Sequence, residues 1–560
     1  MPKRYIRRRR WTSPASAPPG YPGDVYYVDA TNGVDSNNGT STATAWRSMA
    51  KVNAATIPAG ANVLFKRGEV WRDNVLLNRN GTGTSSGRVT FGAYGAGARP
   101  VISGGRDLSS SGAWTQPNVG SYPNVWQAAV GTYDIGQLIL NSNDTPSVGT
   151  RRNVGGSLDS ESSGTTLYLS ANSSKYLSAT ADYYNGAHLY VRAGTHAGVH
   201  RVITDYVRNT APTPDDYVAT VDATGTWSTT DYYMIHGYAS PFLSAEGHFS
   251  HDEQSSKLYL YTAYGNPGTH YNGIIACQGV VGGVLNKDTT GYATVQDIDF
   301  MHCADKDATL IVGSNTIVER CAFKWCGGEW ANNFWARDGY GISMYNVCDN
   351  VHIRYCTFYE VYDCGVTCQP GSTTNLYIHH NIFHNADGAL ELYPGSGTYG
   401  DIYYVNNTAY GIGDGLVGSQ GRLDIQGPCH QFWLHTDDVY GGNIVIKNNI
   451  GVMGTGDSVG RIWNFNAATA DPLRAFTLDY NCWRPDQTNA YKYNSATFYS
   501  TLAGWKGATR SPDPHSINSD PQFVDAAAGD FTPQAAGCLG TGQYIAGINV
   551  TNPPNLGAVE

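Results

Sequence analysis

A short alternation of apolar and polar positions recurs through the second half of the chain. An apolar, a polar and a second apolar residue precede two polar or cysteine positions and an aromatic or aliphatic side chain, as at 351–358 and 376–383. Because successive side chains of a strand point to opposite faces, alternation over so few residues predicts β-strands. Further copies lie at 295–300, 317–323, 402–407, 444–449 and 476–481.

The spacing of these copies predicts stacked coils. Aligning positions 298, 321, 356, 381, 407, 449 and 481 gives steps of 23, 35, 25, 26, 42 and 32 residues, of which the shortest fits one coil and the longer ones add loops. One coil cannot bury its own apolar face, whereas coils stacked at about 4.8 Å form a continuous core. Asn381, Asn407, Asn449 and Asn481 share one corner, which predicts an inward amide ladder.

Composition and charge narrow the class of protein. With 66 Gly, 39 Tyr and only 15% charged residues among 560, the chain has the profile of a β-protein rich in turns. The 36 basic and 46 acidic side chains give a formal net charge of −10, so the molecule as a whole has no positive electrostatic potential that would attract nucleic acid. No apolar stretch approaches the about 18 residues of a membrane span. We therefore expect neither a nucleic acid nor a membrane as partner.

The eleven cysteines are interpreted mostly as small buried hydrophobes. Seven of them lie within 303–368, without the close CxxC pairs of a zinc site.

Motifs at both ends of the chain carry a family resemblance. They are YYVDA at 26–30, GVDSNNGT at 33–40, AGANVLFKRG at 59–68, GARPVISG at 97–104, HSINSDPQF at 515–523 and GDF at 529–531. This set resembles the pectate-lyase-like superfamily of carbohydrate-active proteins. The resemblance implies an all-β fold, a right-handed parallel β-helix.

Between Arg106 and Asn272 the coil pattern gives way to strand-like runs and long polar turns, which predicts an inserted β-sandwich. AEGHFSHD at 245–252, followed by KLYLY at 257–261, is similar to a hairpin of such inserts. The arrangement resembles glycoside hydrolase families 120 and 141, and the insert either forms a groove wall or braces the helix. The predicted divisions are a disordered basic tail (1–23), a cap with the first coils (24–105), the insert (106–272) and the main β-helix with its closing segment (273–560).

Carboxylates one coil apart are the candidate catalytic groups. Asp363 in DCGVT and Asp387 in DGALE differ by 24 residues, so we expect them to stack, and Asp414 extends the ladder 27 residues later. Carboxylates about 5 Å apart cannot all ionise cheaply, so one should have the raised pKa of a general acid. Asp-Gly pairs are also typical of turns, which is the alternative for all three. Glu391 lies mid-strand, where the period of two turns it outward.

The family resemblance adds roles to this set. Family 120 implies an Asp nucleophile and a Glu acid/base from neighbouring coils, and Asp363 or Asp387 with Glu391 is the nearest match. The two catalytic carboxyl groups are about 5–5.5 Å apart in a retaining enzyme and about 6.5–9.5 Å apart in an inverting one. The sequence leaves both possibilities open.

Substrate contacts are predicted around these carboxylates. Trp330 and Trp335 lie in a loop that leaves the helix, where aromatic faces either stack on sugar rings or pack on the insert. Asp414 and Arg422 are expected to bind substrate beside the pair. His435 is expected to orient a water or a sugar hydroxyl, and the alternative is a solvated loop histidine.

Three functions are compatible with the sequence. A glycoside hydrolase acting on a polysaccharide or oligosaccharide needs no cofactor and is expected to be a monomer. A polysaccharide lyase would use an Arg or Lys base with Ca²⁺. A non-catalytic glycan-binding or phage tail-associated protein is suggested by the basic arm at 1–11 and by the lack of a recognisable signal peptide. The expected location is secreted or virion-associated, and the hydrolase is preferred.

Overall fold

The structure is a computed structural model. It describes residues 23–72, 77–79, 81, 83–117, 121–142, 145–160, 162–169, 177–209, 216–238, 242–287, 290–330, 337–369, 371–393, 397–414, 430–434, 442–454, 461–465, 475–484, 488–494, 497–508 and 512–559. The predicted basic tail therefore lies outside the described residues, except for Gly23.

Strands dominate the described chain. The first strands are β1 (Val25–Val28), β2 (Asn62–Lys66), β3 (Val70–Trp71), β4 (Leu77–Arg79), β5 (Val89–Tyr94), β6 (Val101–Ser103) and β7 (Gly105–Asp107). They are followed by β8 (Val125–Ala129), β9 (Ile135–Ser142), β10 (Thr145–Val148), β11 (Thr150–Arg151), β12 (Val154–Ser157), β13 (Gly164–Leu169), β14 (His188–Ala193), β15 (His200–Asn209), β16 (Asp216–Gly225), β17 (Tyr232–His236), β18 (His248–Asp252), β19 (Lys257–Tyr261) and β20 (Gly273–Gln278).

The second half continues in short strands. They are β21 (Gly283–Leu285), β22 (Ala293–Gln296), β23 (Asp299–Met301), β24 (Leu310–Val312), β25 (Thr316–Glu319), β26 (Ala322–Cys326), β27 (Glu329–Trp330), β28 (Arg337–Asp338), β29 (Ile342–Met344), β30 (Cys348–Arg354), β31 (Thr357–Val361), β32 (Cys364–Cys368), β33 (Thr373–His379), β34 (Ile382–His384), β35 (Gly388–Leu392), β36 (Tyr399–Val405), β37 (Thr408–Ile412), β38 (His430–Leu434), β39 (Ile444–Lys447), β40 (Ile450–Met453), β41 (Arg461–Phe465), β42 (Phe476–Asp479), β43 (Cys482–Arg484), β44 (Tyr491–Lys492) and β45 (Phe498–Tyr499). The helices are α1 (Met49–Ala54), α2 (Pro267–His270) and α3 (Leu502–Lys506), with 3₁₀ turns at Thr42–Thr44, Ser111–Ala113, Ala526–Ala528 and Ala536–Cys538.

Three long sheets run along the molecule. The first has the order β1-β2-β5-β22-β25-β30-β33-β36-β39-β42, the second β3-β6-β23-β26-β31-β34-β37-β40-β43, and the third β4-β21-β24-β29-β32-β35-β38-β41-β44-β45. Neighbouring coils pair in parallel, as β30 with β33, β31 with β34 and β32 with β35. Each complete coil contributes one strand to each sheet, so the predicted all-β parallel β-helix is confirmed.

The corner between the first and second sheets repeats in every coil of the main helix. Its turn residue has a positive φ, for example Arg320 at +53°, Tyr355 at +55° and His380 at +56°. Left-handed backbone costs about 1–2 kcal/mol for an ordinary residue, so the surrounding strands must impose this turn. The next position is the one aligned from sequence at 298, 321, 356, 381, 407, 449 and 481, which confirms that those steps join equivalent corners.

The asparagine ladder is also confirmed. Asn407 donates from Nδ2 to the Ile378 carbonyl at 2.9 Å and accepts the Asn381 backbone N–H at 3.0 Å on Oδ1. The backbone N–H of Asn407 in turn donates to Oδ1 of Asn449. The backbone N–H of Asn449 donates to Oδ1 of Asn481. Each buried amide therefore links its own coil to the two neighbouring coils.

The helix interior is filled by stacked side chains. The rings of Phe300, Phe323, Phe358 and Phe383 stack with successive centroid distances of 5.4, 5.0 and 4.7 Å. The described cysteines are buried thiols, which confirms their interpretation as small hydrophobes, while Cys429 lies outside the described residues. Among the described residues, no helix has the length and apolar character needed to cross a membrane.

The segment between β7 and β21 forms sheets of its own. Sheet β10-β9-β20-β7 faces sheet β11-β18-β19-β8 across an apolar cluster that includes Leu138, Phe249 and Leu260. The six-stranded sheet β12-β17-β14-β15-β16-β13 has a separate cluster around Leu189 and Ile235. The predicted inserted β-sandwich is confirmed, whereas the exact domain bounds stay a prediction.

Candidate functional site

The outer face of the third sheet presents a row of polar side chains. Ser343, Thr367 and Glu391 are register partners on β29, β32 and β35, while Val366 and Leu390 belong to the interior cluster. Glu391 faces outward, as predicted, yet it is only 3% exposed.

Hydrogen bonds hold the Glu391 carboxyl. The Thr367 hydroxyl donates to Glu391 Oε2 at 2.7 Å, and Gln369 Nε2 donates to the same oxygen at 3.2 Å. Both donors belong to the preceding coil. The coil stacking therefore fixes the orientation of this carboxyl in advance of any substrate.

Asp363 and Asp387 occupy equivalent places on neighbouring coils, immediately before β32 and β35. Cys364 pairs with Gly388, and the Gly388 N–H donates to the Asp363 carbonyl at 3.3 Å. The exposed fractions are 0% for Asp363 and 8% for Asp387. The 24-residue offset therefore does bring the two residues to one corner, between the second and third sheets.

Asp414 does not continue this pair in register. The Gly413 N–H donates to the Ala386 carbonyl at 2.9 Å, which places Asp414 one position later along its coil than Asp387. Asp414 is also exposed, unlike the buried pair. The expectation of a three-carboxylate ladder is corrected to a pair, because loop lengths at this corner differ between coils. Arg422, His435 and Trp335 lie outside the described residues.

Trp330 requires a second correction. It was expected to expose its ring to sugars, but it is 2% exposed and packs against Met234 of β17. The insert covers it, because Met234 belongs to β17 of the six-stranded sheet. Of the two alternatives weighed from sequence, packing on the insert is the one observed.

Sequence reasoning missed an acidic group beside Trp330. Glu329 Oε2 accepts the Lys306 backbone N–H at 3.0 Å, and Glu329 Oε1 lies 3.6 Å from an Arg192 nitrogen. Burial, together with the carboxylates of Asp305 and Asp134, raises the pKa of Glu329 to about 8. Burial likewise raises the pKa of Asp305. The sequence signal was present only as an acidic residue in the loop after a short strand.

A buried ion pair lies next to this group at the junction of insert and helix. Arg151 donates to both oxygens of Asp134, at 2.5 and 3.0 Å, and the Trp330 backbone N–H lies 3.3 Å from the same carboxylate. Burial alone would raise the pKa of Asp134, but Arg151 and His251 hold it well below its usual range. The pKa values of the Asp134 and Glu329 carboxyls are therefore shifted in opposite directions at the junction, which is a pattern found at catalytic sites.

A groove lies on the outer face of the first sheet, a different face from the carboxylate row. Its volume is about 660 Å³, and Arg88, Glu319 and Arg354 contribute to its lining. Arg354 is paired with Glu319 at 2.7 Å, and Arg88 donates to the main-chain carbonyls of Ala293 and Asn315. These charges are already engaged in structural contacts, so the groove is a weaker candidate than the third-sheet face.

Comparisons with known proteins agree with this architecture. Residues 291–409 match the family model described as the right handed beta helix region. The matched residues run from β22 into β37 of the parallel β-helix. A solved structure named glycoside hydrolase is similar with a TM-score of 0.50 and 13% identity, over 84% of this chain and 95% of that one. The predicted resemblance to carbohydrate-active β-helix enzymes is confirmed, and at this identity the likeness shows the fold alone.

Two lacto-N-biosidases are also similar. The protein of Bifidobacterium longum subsp. longum is 34% identical over 109 residues, which are 18% of this chain and 7% of that protein. The GH136 lacto-N-biosidase from Eubacterium ramulus has 12% identity and a TM-score of 0.40, over 82% of this chain and 56% of that one. This chain therefore spans only part of the length of these proteins.

Proposed function

We propose that this protein is a glycoside hydrolase that cleaves a polysaccharide or oligosaccharide on the outer face of its β-helix. The observation that carries the proposal is the equivalent position of Asp363 and Asp387 on neighbouring coils, with a buried and hydrogen-bonded Glu391 further along β35. The names of the similar proteins support the same reaction class.

The chemistry requires one carboxyl to protonate the leaving oxygen and a second to attack the sugar or activate water. Adjacent coils are separated by about 4.8 Å, near the about 5–5.5 Å of retaining enzymes, which favours Asp363 and Asp387 as the reacting pair. Glu391 lies four residues beyond Asp387, about 13 Å along an extended strand. We assign Glu391 to the adjoining sugar, where its fixed carboxylate accepts hydrogen bonds from hydroxyl groups.

Turnover by single variants tests this assignment. Asp363→Asn and Asp387→Asn each remove one reacting group without changing shape, so we expect kcat to fall by about 10³-fold or more. Glu391→Gln should raise KM more than it lowers kcat, because it acts on binding. The substrate panel includes oligosaccharides ending in a lacto-N-biose unit, since that sugar appears in the name of the Bifidobacterium relative.

Asp205→Asn is the matched control, because Asp205 is an exposed carboxyl on β15, outside the coils. It should leave both activity and melting temperature unchanged. Wild-type turnover in Asp363→Asn and Asp387→Asn would contradict the assignment. Loss of activity together with a fall in melting temperature would instead assign these residues to the fold.

Product analysis separates hydrolysis from elimination. A hydrolase creates a new reducing end without an unsaturated product, and we expect activity to persist in the presence of a chelator. An ultraviolet-absorbing unsaturated uronide, lost when Ca²⁺ is removed, would support the lyase instead. Binding without any product from the whole panel would favour the non-catalytic glycan-binding protein.

A further inference from the structure

We propose that the inserted β-sandwich binds a divalent transition-metal ion of the zinc class through His200, His236 and Asp252. This site is separate from the carboxylate row and does not depend on the proposed hydrolysis. Its three ligand atoms all lie within 4.8 Å of one another.

The distances fit one ion between the three groups. The Nε2 atoms of His200 and His236 are 3.2 Å apart, and His236 Nε2 is 3.6 Å from Asp252 Oδ1. Nitrogen and oxygen ligands about 2.0–2.1 Å from a tetrahedral ion are about 3.3–3.4 Å from each other. The 3.6 Å separation is too long for a hydrogen bond but suits two ligands of the same metal.

Strand register places the histidines together. His236 on β17 is the direct partner of His188 on β14, and His200 on β15 is the partner of Tyr190, two residues further along β14. Since residues two apart share a face of a strand, all three histidines lie on one face of the six-stranded sheet. Asp252 reaches this face from the end of β18.

The donor chemistry of the cluster suits a cation of the zinc class. His236 is buried and His200 is half-buried. Imidazole nitrogens and a carboxylate oxygen are ordinary ligands of zinc-class ions. The ring of His188 stacks on His200 at 4.8 Å and on His236 at 5.5 Å. The proposed ligand set is two imidazoles and one carboxylate.

The Asp252 carboxylate already accepts hydrogen bonds from Gln254 and Ser255, but without an ion the two imidazole rings are poorly compensated. Only one proton can lie between the facing Nε2 atoms of His200 and His236. Nδ1 of His236 is buried and has no hydrogen-bond partner among the described residues. The side chain of His236 is 3% exposed, so water gives little relief. A cation would use both lone pairs and the carboxylate at once.

A neighbouring cluster does not qualify as a second metal site. Asp134, His251 and Glu253 also bring their ligand atoms together. However, Arg151 already occupies both oxygens of Asp134 and supplies the positive charge that a metal would bring.

Metal titration of the full-length protein tests the proposal. After treatment with a chelator, the wild type should take up one equivalent of Co²⁺, with visible absorption from a low-symmetry histidine site, and Zn²⁺ should displace it. His200→Gln and Asp252→Asn should each weaken binding by about tenfold or more, since each removes one ligand. His270→Gln is the matched control, because His270 stacks on Tyr264 outside the cluster.

Crystals of the wild type grown with Zn²⁺ give a readout that needs no variant. Anomalous scattering at the zinc edge should place the ion between His200, His236 and Asp252. The proposal is overturned if the ion lies elsewhere or is absent, or if folded His200→Gln and Asp252→Asn proteins bind as tightly as the wild type.

Discussion

At the scale of single residues, the buried asparagines show how a side chain can specify a corner. Asn407 lies between Asn381 and Asn449 and is 0% exposed. Its amide satisfies the Ile378 carbonyl, and its oxygen accepts from the coil before it. An apolar residue of similar size could fill the space, but it would leave buried main-chain groups unpaired.

Replacing this amide should therefore destabilise the helix. We expect Asn407→Ala to lower the free energy of unfolding by about 2–4 kcal/mol. The substitution leaves a buried carbonyl and a buried N–H without hydrogen-bond partners and creates a small cavity. Chemical denaturation with the fluorescence of the buried tryptophans measures the change. Asn78→Ala, at an exposed position on β4, should cost less than about 1 kcal/mol. Equal effects from both variants would contradict the role given to the ladder.

At the scale of elements, the β27–β28 hairpin joins insert and helix through charge. Glu329 on β27 faces Arg192 of β14 and the Lys306 backbone, and its side chain is 13% exposed. The unfolded chain loses this proton near the ordinary pKa of 4.5, whereas the folded protein loses it near 8. The folded state therefore holds more protons than the unfolded state between these pH values.

The difference in bound protons makes the stability of the folded protein fall as the pH rises. The stability linked to protonated Glu329 is fully present below about pH 4.5 and declines up to about pH 8, by at most about 1.4 kcal/mol per pH unit. Glu329→Gln removes the titrating group, so its stability relative to wild type should rise across this window. Urea denaturation at several pH values measures the slope. Parallel pH profiles for the two proteins would show that Glu329 ionises normally.

At the scale of the whole molecule, two kinds of core are joined. The helix core is one continuous column that includes Phe358, while the six-stranded sheet of the insert has its own cluster around Leu189. Stacked coils contact mainly their neighbours, so their cooperativity spreads along the helix rather than into the insert. The junction between the two contains the buried Asp134–Arg151 pair and an apolar cluster in which Ile139 of the insert meets Trp325 of the helix.

Separate cores should unfold separately. We expect calorimetry to resolve two transitions, with Leu189→Ala lowering the insert transition and Phe358→Ala lowering the helix transition. Each substitution removes a fully buried side chain and should cost about 2–5 kcal/mol. A single transition that both variants shift equally would mean that the junction couples the two parts completely.

The alternating pattern and the spacing of its copies determined the helical part of the fold. Strand positions, equivalent corners, the asparagine ladder and the neighbouring places of Asp363 and Asp387 follow from local periodicity and from stacking that each coil needs to bury its apolar face. These features depend on contacts one coil apart, and that offset is visible in the sequence.

Only the tertiary structure decided what the insert does to the coils it covers. Trp330 is buried by Met234, Glu329 acquires its raised pKa from Asp305 and Asp134, and His200 meets His236 through strand pairing. The partners in each set are brought together by long-range contacts that no local period encodes. Burial and charge at these places are properties of the assembled surface, so they follow from the packing of insert against helix and of strand against strand.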